Sequence, residues 1–243
     1  MTAYYNEIDP FAAAWLRQLI SAGHIAPGDV DERSIVDVRP DDLRNYTQCH
    51  FFAGIGGWSY ALRLAGWPDD RPVWTGSCPC QPFSTASAGK GGGFTNEKHL
   101  WPEWFRLISA VRPDDIFGEQ VAVSDAWTDQ VWSDMEDIGF TFWTAELPAG
   151  AVGADHRRPR RWMAAYSDVR AKHGRPEHAK TQMLPRRDCI GTRVLPSHGI
   201  SLGMAERSAR KAFGNAIVPQ VAAEIIAAYD DHFRCISVEG AFA

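Results

Sequence analysis

The sequence predicts an α/β fold around a mostly parallel sheet, on three observations. Short β-rich apolar runs alternate with stretches of helical period. One run, His50-Phe51-Phe52, breaks into a glycine turn and then into a helical pattern. The chain has 243 residues, 45% of them hydrophobic, which suits one domain with a small appendage and no internal repeat.

The elements follow in order. Tyr4 to Ile8 is the first expected strand. After Pro10, the residues Phe11, Ala12, Trp15, Leu16, Leu19 and Ile20 recur at helical spacing until Gly23 stops the pattern. A second short strand is expected near Asp29-Val30, followed by an acidic, irregular stretch over 31–48. The strand at residues 50–52 leads through Gly54-Ile55-Gly56-Gly57 into a helix that ends at Leu64. Val73-Trp74-Thr75 forms the next strand and stops at Ser77-Cys78-Pro79-Cys80-Gln81-Pro82, and a glycine-rich loop, Ser87 to Gly93, follows. Further expectations are a helix near 99–111, a strand from Asp115 to Gly118 closed by Glu119, a helix near 124–137, and strands near 140–146 and 161–166. Residues 167–200 are rich in Arg, His, Pro and Gly, lack an apolar period, and read as a small basic appendage to a main domain of 1–166 and 201–243. Ala216 to Tyr229 has amphipathic helical spacing and is opened by Gly214-Asn215.

Composition narrows the function classes. No apolar run approaches the ~18 residues that a membrane helix needs, and acids stand where a signal peptide carries Lys or Arg, so a cytoplasmic protein is expected. Five cysteines without framework spacing point to reduced thiols. The net charge of −5 conceals a division along the chain. Residues 1–155 hold 10 Lys/Arg against 22 Asp/Glu, whereas residues 156–211 hold 14 against 4. A block this basic can neutralise phosphates, although a solvated loop would have the same composition.

Several residues stand where chemistry would be placed. A glycine turn between strand and helix lets backbone N–H groups approach a ligand, but such glycines are as often purely structural. Cys80 follows the carboxyl end of a strand, where open α/β sheets bind ligands, with Pro79 before it and a glycine-rich flap after it. An arbitrary cysteine is more often inert packing, the role read for Cys78. Glu119 closes an apolar strand at the same sheet edge; desolvation there would suit it to donate a proton, while a loop contact or helix cap is the bland reading. In His156-Arg157-Arg158-Pro159-Arg160-Arg161, alternate side chains share one face if the segment is extended, or else form a surface patch.

Taken together these residues resemble the DNA cytosine-C5 methyltransferase family. The glycine motif is similar to Phe52-Ala53-Gly54-Ile55-Gly56-Gly57, and the nucleophile motif is intact as Pro79-Cys80-Gln81-Pro82-Phe83-Ser84. The family's Glu-Asn-Val resembles Glu119-Gln120-Val121, its Gln-x-Arg-x-Arg resembles His156 to Arg160, and its Gly-Asn-Ser-Val-Val-Pro resembles Gly214 to Pro219. Two further motifs are out of order. Asn6-Glu7-Ile8-Asp9 resembles the acidic strand end that holds ribose hydroxyls, and Gly28-Asp29-Val30 resembles Gly-Asp-Ile, whose acid meets the adenine amino group. In the family these follow the glycine motif; here they precede it. If the helix after Gly57 keeps its usual face, its link to the Cys80 strand is of the disfavoured left hand; otherwise the helix changes face or residues 66–72 cross beneath the sheet.

The resemblance implies a Rossmann-like methyltransferase fold with a truncated target-recognition segment, S-adenosylmethionine as cofactor, and double-stranded DNA as partner. It implies no metal, and a monomer is expected. Cofactor contacts would come from Glu7, Ile8, Asp29, Val30, Phe52, Ala53, Gly54, Ile55, Gly56, Gly57, Asn215 and Ala216. Cys80, Glu119, Arg158 and Arg160 would be catalytic, with Pro79, Gln81, Ser84 and Lys90 against the base. Restriction–modification or a phage is the implied setting. Other readings are a related transferase with a different sulfonium donor or a free-nucleotide target, and a silent DNA-binding relative; a nicotinamide-dependent dehydrogenase would have no use for Pro-Cys-Gln.

Overall fold

The computed structural model describes residues 2–79, 99–121, 125–153, 159–167 and 216–239, with side chains of the last segment described to residue 232. The strands are β1 (Thr2–Asn6), β2 (Gly28–Asp31), β3 (Tyr46–Phe51), β4 (Val73–Gly76), β5 (Asp115–Val121), β6 (Phe140–Pro148) and β7 (Pro159–Ser167). The helices are α1 (Pro10–Ser21), α2 (Pro40–Leu43), α3 (Gly57–Leu64), α4 (Trp101–Val111), α5 (Asp125–Asp137) and α6 (Pro219–Glu239). These strands form one sheet in the order β2-β1-β3-β4-β5-β7-β6. Neighbours from β2 to β5 are parallel, and β7 runs antiparallel between β5 and β6. The fold is therefore the expected α/β class with a mostly parallel, Rossmann-like sheet.

Local chemistry moves some expected boundaries. The first strand ends at Asn6 rather than Ile8, because Asp9 turns back to cap α1: its Oδ1 accepts the Phe11 and Ala12 N–H groups at 3.0 and 3.4 Å, with Pro10 in the first turn. The stretch 31–48 is more regular than its composition suggests. Ser34 caps a 3-10 turn over Ile35–Asp37, α2 follows, and Ile35, Val38 and Leu43 are buried. The strand expected at 50–52 starts four residues earlier and ends at Phe51. The last helix runs well beyond Tyr229.

Alternation along the strands splits the core into two layers. Tyr4, Cys49, Phe51, Trp74 and Ile116 pack with the 35–43 segment, α4 and α5 on one face. On the other, Ala3 and Tyr5 meet α1, and Val73, Phe117 and Trp162 meet α3 and α6. Ser59 of α3 joins these last two groups, since its Oγ lies 3.0 Å from the Tyr5 hydroxyl and accepts the Ala26 N–H at 3.1 Å.

This layering answers the handedness question. Helix α1 links β1 to β2 over the same face that α3 uses to link β3 to β4, but the two connections step in opposite directions across the sheet. They must be of opposite hand. The 35–43 segment steps from β2 back past β1 to β3 over the other face, and so shares the hand of the α1 connection. Trp67 stays in the α3–α6 layer, so the link neither changes face nor passes beneath the sheet. With the right hand found in about 98% of parallel crossovers, β3–α3–β4 is the exception.

One buried group on this face gives stability a pH dependence. His50 is 1% exposed, stacks on Tyr5 with centroids 4.9 Å apart, and places Nδ1 2.8 Å from Thr75 Oγ1. Burial holds its pKa down from 6.5 to about 3. The unfolded chain therefore takes up a proton as pH falls through 6.5 while the folded chain does not, so stability present above pH 6.5 is lost between pH 6.5 and 3, at roughly 1.4 kcal/mol per unit. Urea unfolding at pH 7.5 and pH 5 is expected to differ by about 2 kcal/mol more in the wild type than in His50→Asn. An equal difference in both proteins would remove His50 as the cause.

Candidate active site

The carboxyl ends of β1, β3, β4 and β5 lie side by side, and the candidate residues collect there. After β3 the chain takes three left-handed steps, at Phe52 (φ 51°), Gly54 (φ 55°) and Gly56 (φ 83°), before α3 begins. The turn is tied to the end of β1. Ala53 donates its N–H to the Asn6 carbonyl at 3.0 Å, and Gly54 donates to Glu7 Oε2 at 2.7 Å, while Glu7 Oε1 accepts the Asp9 N–H at 2.8 Å. A side chain at Gly57 would stand 2.7 Å from Ile217 Cγ1, so the segment that precedes α6 packs here over a glycine. Among the described residues the nearest atom to such a side chain at Gly54 is the Phe52 carbonyl oxygen at 4.0 Å, so on their account this part of the turn faces open space.

The other expected cofactor residues take varied positions. Ala53 is buried, Phe52 and Ile55 are half-buried, and Ile8, beside Glu7, is 64% exposed. Ala216 is half-buried and leads into Ile217. Val30 packs against the α1 layer. Asp29 sits within β2 rather than at its end, exposed, and accepts the Tyr46 hydroxyl at 2.9 Å. The acid at the strand end is Asp31, which the sequence reading passed over. Against its partial burial, hydrogen bonds from Arg33 and the Tyr4 hydroxyl hold its carboxyl below the usual range. The Asp31-x-Arg33 spacing was the available signal.

At the neighbouring strand ends the β4 ladder stops at Gly76, paired with Gly118. Ser77 Oγ then accepts the Trp58 Nε1–H at 3.0 Å, and the carbonyl of buried Cys78 faces Gln120 Nε2 at 3.5 Å. Pro79, half-buried, is the residue before Cys80. Strand β5 runs on to Val121, which corrects the expectation that Glu119 closes it: Glu119 lies inside the antiparallel ladder, opposite Trp162. Two pairs further, Arg160 stands opposite Val121, and its Nε forms an ion pair with Glu119 Oε1, the side chains being 19% and 8% exposed. Arg161, on the alternate face, turns away to Asp125, Thr128 and Glu146. Cys80, Gln81, Ser84, Lys90, Arg158 and Asn215 lie outside the described residues. Among the described residues no group of three or more His, Cys, Asp or Glu could hold a metal ion, and no helix is long and apolar enough to cross a membrane.

Solved structures that resemble the chain include a protein of an E. coli prophage described as a DNA modification methyltransferase (12% identity, TM-score 0.40, covering 70% of this chain and 47% of that one). Others are the Spodoptera frugiperda DNMT2 (12%, 0.40, 69% and 50%) and the S. pombe Dnmt2 methyltransferase (12%, 0.41, 69% and 51%). The chain spans about half the length of these structures. No curated protein sequence matches it. The sequence profile of the C-5 cytosine-specific DNA methylases matches residues 67–195, more than half of the chain and the stretch that holds Pro79-Cys80-Gln81, Glu119 and Arg160, and the chain belongs to that family.

Proposed function

We propose that the chain transfers a methyl group from S-adenosylmethionine to C5 of cytosine in double-stranded DNA. The observation that carries this reading is the Glu119–Arg160 pair, set beside the segment that leads into Cys80. Cytosine presents N3 and O2 on adjacent ring atoms, and an adjacent carboxyl and guanidinium suit that edge. The donor fits the first half of the site. Glu7, tied to the turn through the Gly54 N–H, would hold the ribose hydroxyls, and Ile8 offers an exposed apolar surface for adenine, with Val30 and Asp29 of the neighbouring strand as the further expected contacts. Phe52 to Gly57, with Asn215 and Ala216, would surround the rest of the donor. Once bound, it supplies an electrophilic methyl group on sulfonium.

The chain's own residues make the acceptor reactive. Cytosine C5 is a weak nucleophile. Addition of the Cys80 thiolate to C6, with Glu119 hydrogen-bonded at N3, turns C5 into an enamine carbon. Arg160, with Arg158, would hold O2 and its developing charge. After methylation, loss of the C5 proton and expulsion of the Cys80 sulfur regenerate the enzyme. A base inside a duplex is out of reach of this sulfur and must be extruded, with Pro79, Gln81, Ser84 and Lys90 against it. The basic block would grip the phosphates.

Incubating the protein with S-adenosylmethionine and genomic DNA, followed by nucleoside mass spectrometry, is expected to yield 5-methylcytosine. A methyl group on another base, or none on DNA, would overturn the reading.

A further inference from the structure

The segment from Ser77 to Pro79 leaves the sheet, so no ladder hydrogen bond fixes it, yet the proposed nucleophile hangs from its end. Among the described residues, two side chains hold it instead. Gln120, next to Glu119, reaches the Cys78 carbonyl at 3.5 Å, and Trp58 donates its indole N–H to Ser77 Oγ at 3.0 Å. The second bond is the shorter and has the more telling origin, because Trp58 belongs to the first turn of α3, directly after the glycine turn.

That turn is a junction. Gly56 leaves room for Leu16, Leu19 and Ile25, Gly57 packs under Ile217, and Ser59 bonds to Tyr5 and to Ala26. Trp58 is the member of this turn that extends toward β4. Its ring is already packed, 5.7 Å from Trp162 and 6.4 Å from Phe117 between centroids, and that packing does not require the N–H. Donation to Ser77 is a separate function of the same side chain. It is available because α3 leads straight into β4 over one face, which brings the two ends within 19 residues of each other.

We infer that Trp58 is a positioning residue that couples the donor-binding turn to the nucleophile segment through Ser77, so that occupation of the turn sets the place from which Cys80 acts. The inference rests on the proposed function. Misplacement by a fraction of an ångström is costly to a reaction that needs an aligned attack. Trp58→Phe and Ser77→Ala are each expected to lower kcat about tenfold, with KM for DNA and affinity for S-adenosylhomocysteine, the demethylated donor, changed less than twofold. The double variant should be no worse than either single one, and Ser77→Thr should restore turnover. S-adenosylhomocysteine should also slow amide exchange over residues 76–78 in the wild type but not in Trp58→Phe.

Three results would overturn the coupling: kcat within twofold of wild type in both variants, losses that multiply in the double variant, or equal protection of 76–78 in Trp58→Phe. Should Trp58→Phe unfold, Ser77→Ala and its threonine rescue decide. A wild type that binds S-adenosylhomocysteine but transfers nothing would overturn the proposed function, and the exchange experiment, which needs no turnover, would still decide the coupling.

Discussion

Cys80→Ala is expected to abolish methyl transfer while leaving the affinity for S-adenosylmethionine unchanged. Neither of the other thiols among the described residues can take its place. Cys78 is two residues away, but it is buried, and burial pushes its thiol well above the ordinary range, so it remains an unreactive neutral group. Cys49 is buried within β3 and is pushed up for the same reason. The proposed donor contacts lie in β1, β2, the glycine turn and the residues before α6, none of which Cys80 belongs to, so calorimetric binding should persist. DNA containing 5-fluorocytosine sharpens the test, because fluorine at C5 cannot leave as a proton and the cysteine adduct stays intact. The wild type should form a covalent complex that resists denaturation, and Cys80→Ala should form none. Unchanged turnover in Cys80→Ala would refute the nucleophile.

Glu119→Gln is expected to lower kcat by about a hundredfold or more, the usual scale for loss of a positioned acid or base. Glutamine keeps the size and can still meet Arg160, but it cannot share a proton with N3. Truncating half of a buried ion pair also costs stability, so the isosteric change is the informative one. With Arg160 at 19% side-chain exposure, water can serve the guanidinium, and the melting temperature should move little. A two- or threefold loss of kcat would make Glu119 structural. A large fall in melting temperature with proportionate loss of activity would lead to the same conclusion.

Much of the architecture was legible because its causes are local. Helical spacing after Pro10, the strand-to-glycine-to-helix change at 52–57, and the short runs at 73–75 and 115–118 depend on neighbours only a few residues away, and each lies within an observed element or turn of the expected kind. Boundaries slipped where a side chain competed with the ladder, as Asp9 does by capping α1. The 31–48 stretch was misread for a related reason. Its charge masks Ile35, Val38 and Leu43, three apolar residues that only a partner face could order.

The site divides in the same way. The motifs named Cys80, Glu119 and Arg160 as residue types in an order, and all three positions fall within the family match over residues 67–195. The match begins at Trp67, so β1, β2 and the glycine turn lie outside it.

The sequence by itself determined which groups are available: a thiol after a strand, a glycine turn, an acid at the end of an apolar run, and a charge division along the chain. Only the tertiary structure decided which of them meet. Glu119 and Arg160 are 41 residues apart and touch because of the β5–β7 register, Glu7 reaches Gly54 because β1 docks beside β3, and Trp58 reaches Ser77 because one crossover takes the rarer hand. Backbone preference and apolar period act over a few residues, whereas register and handedness are settled by how whole faces bury one another.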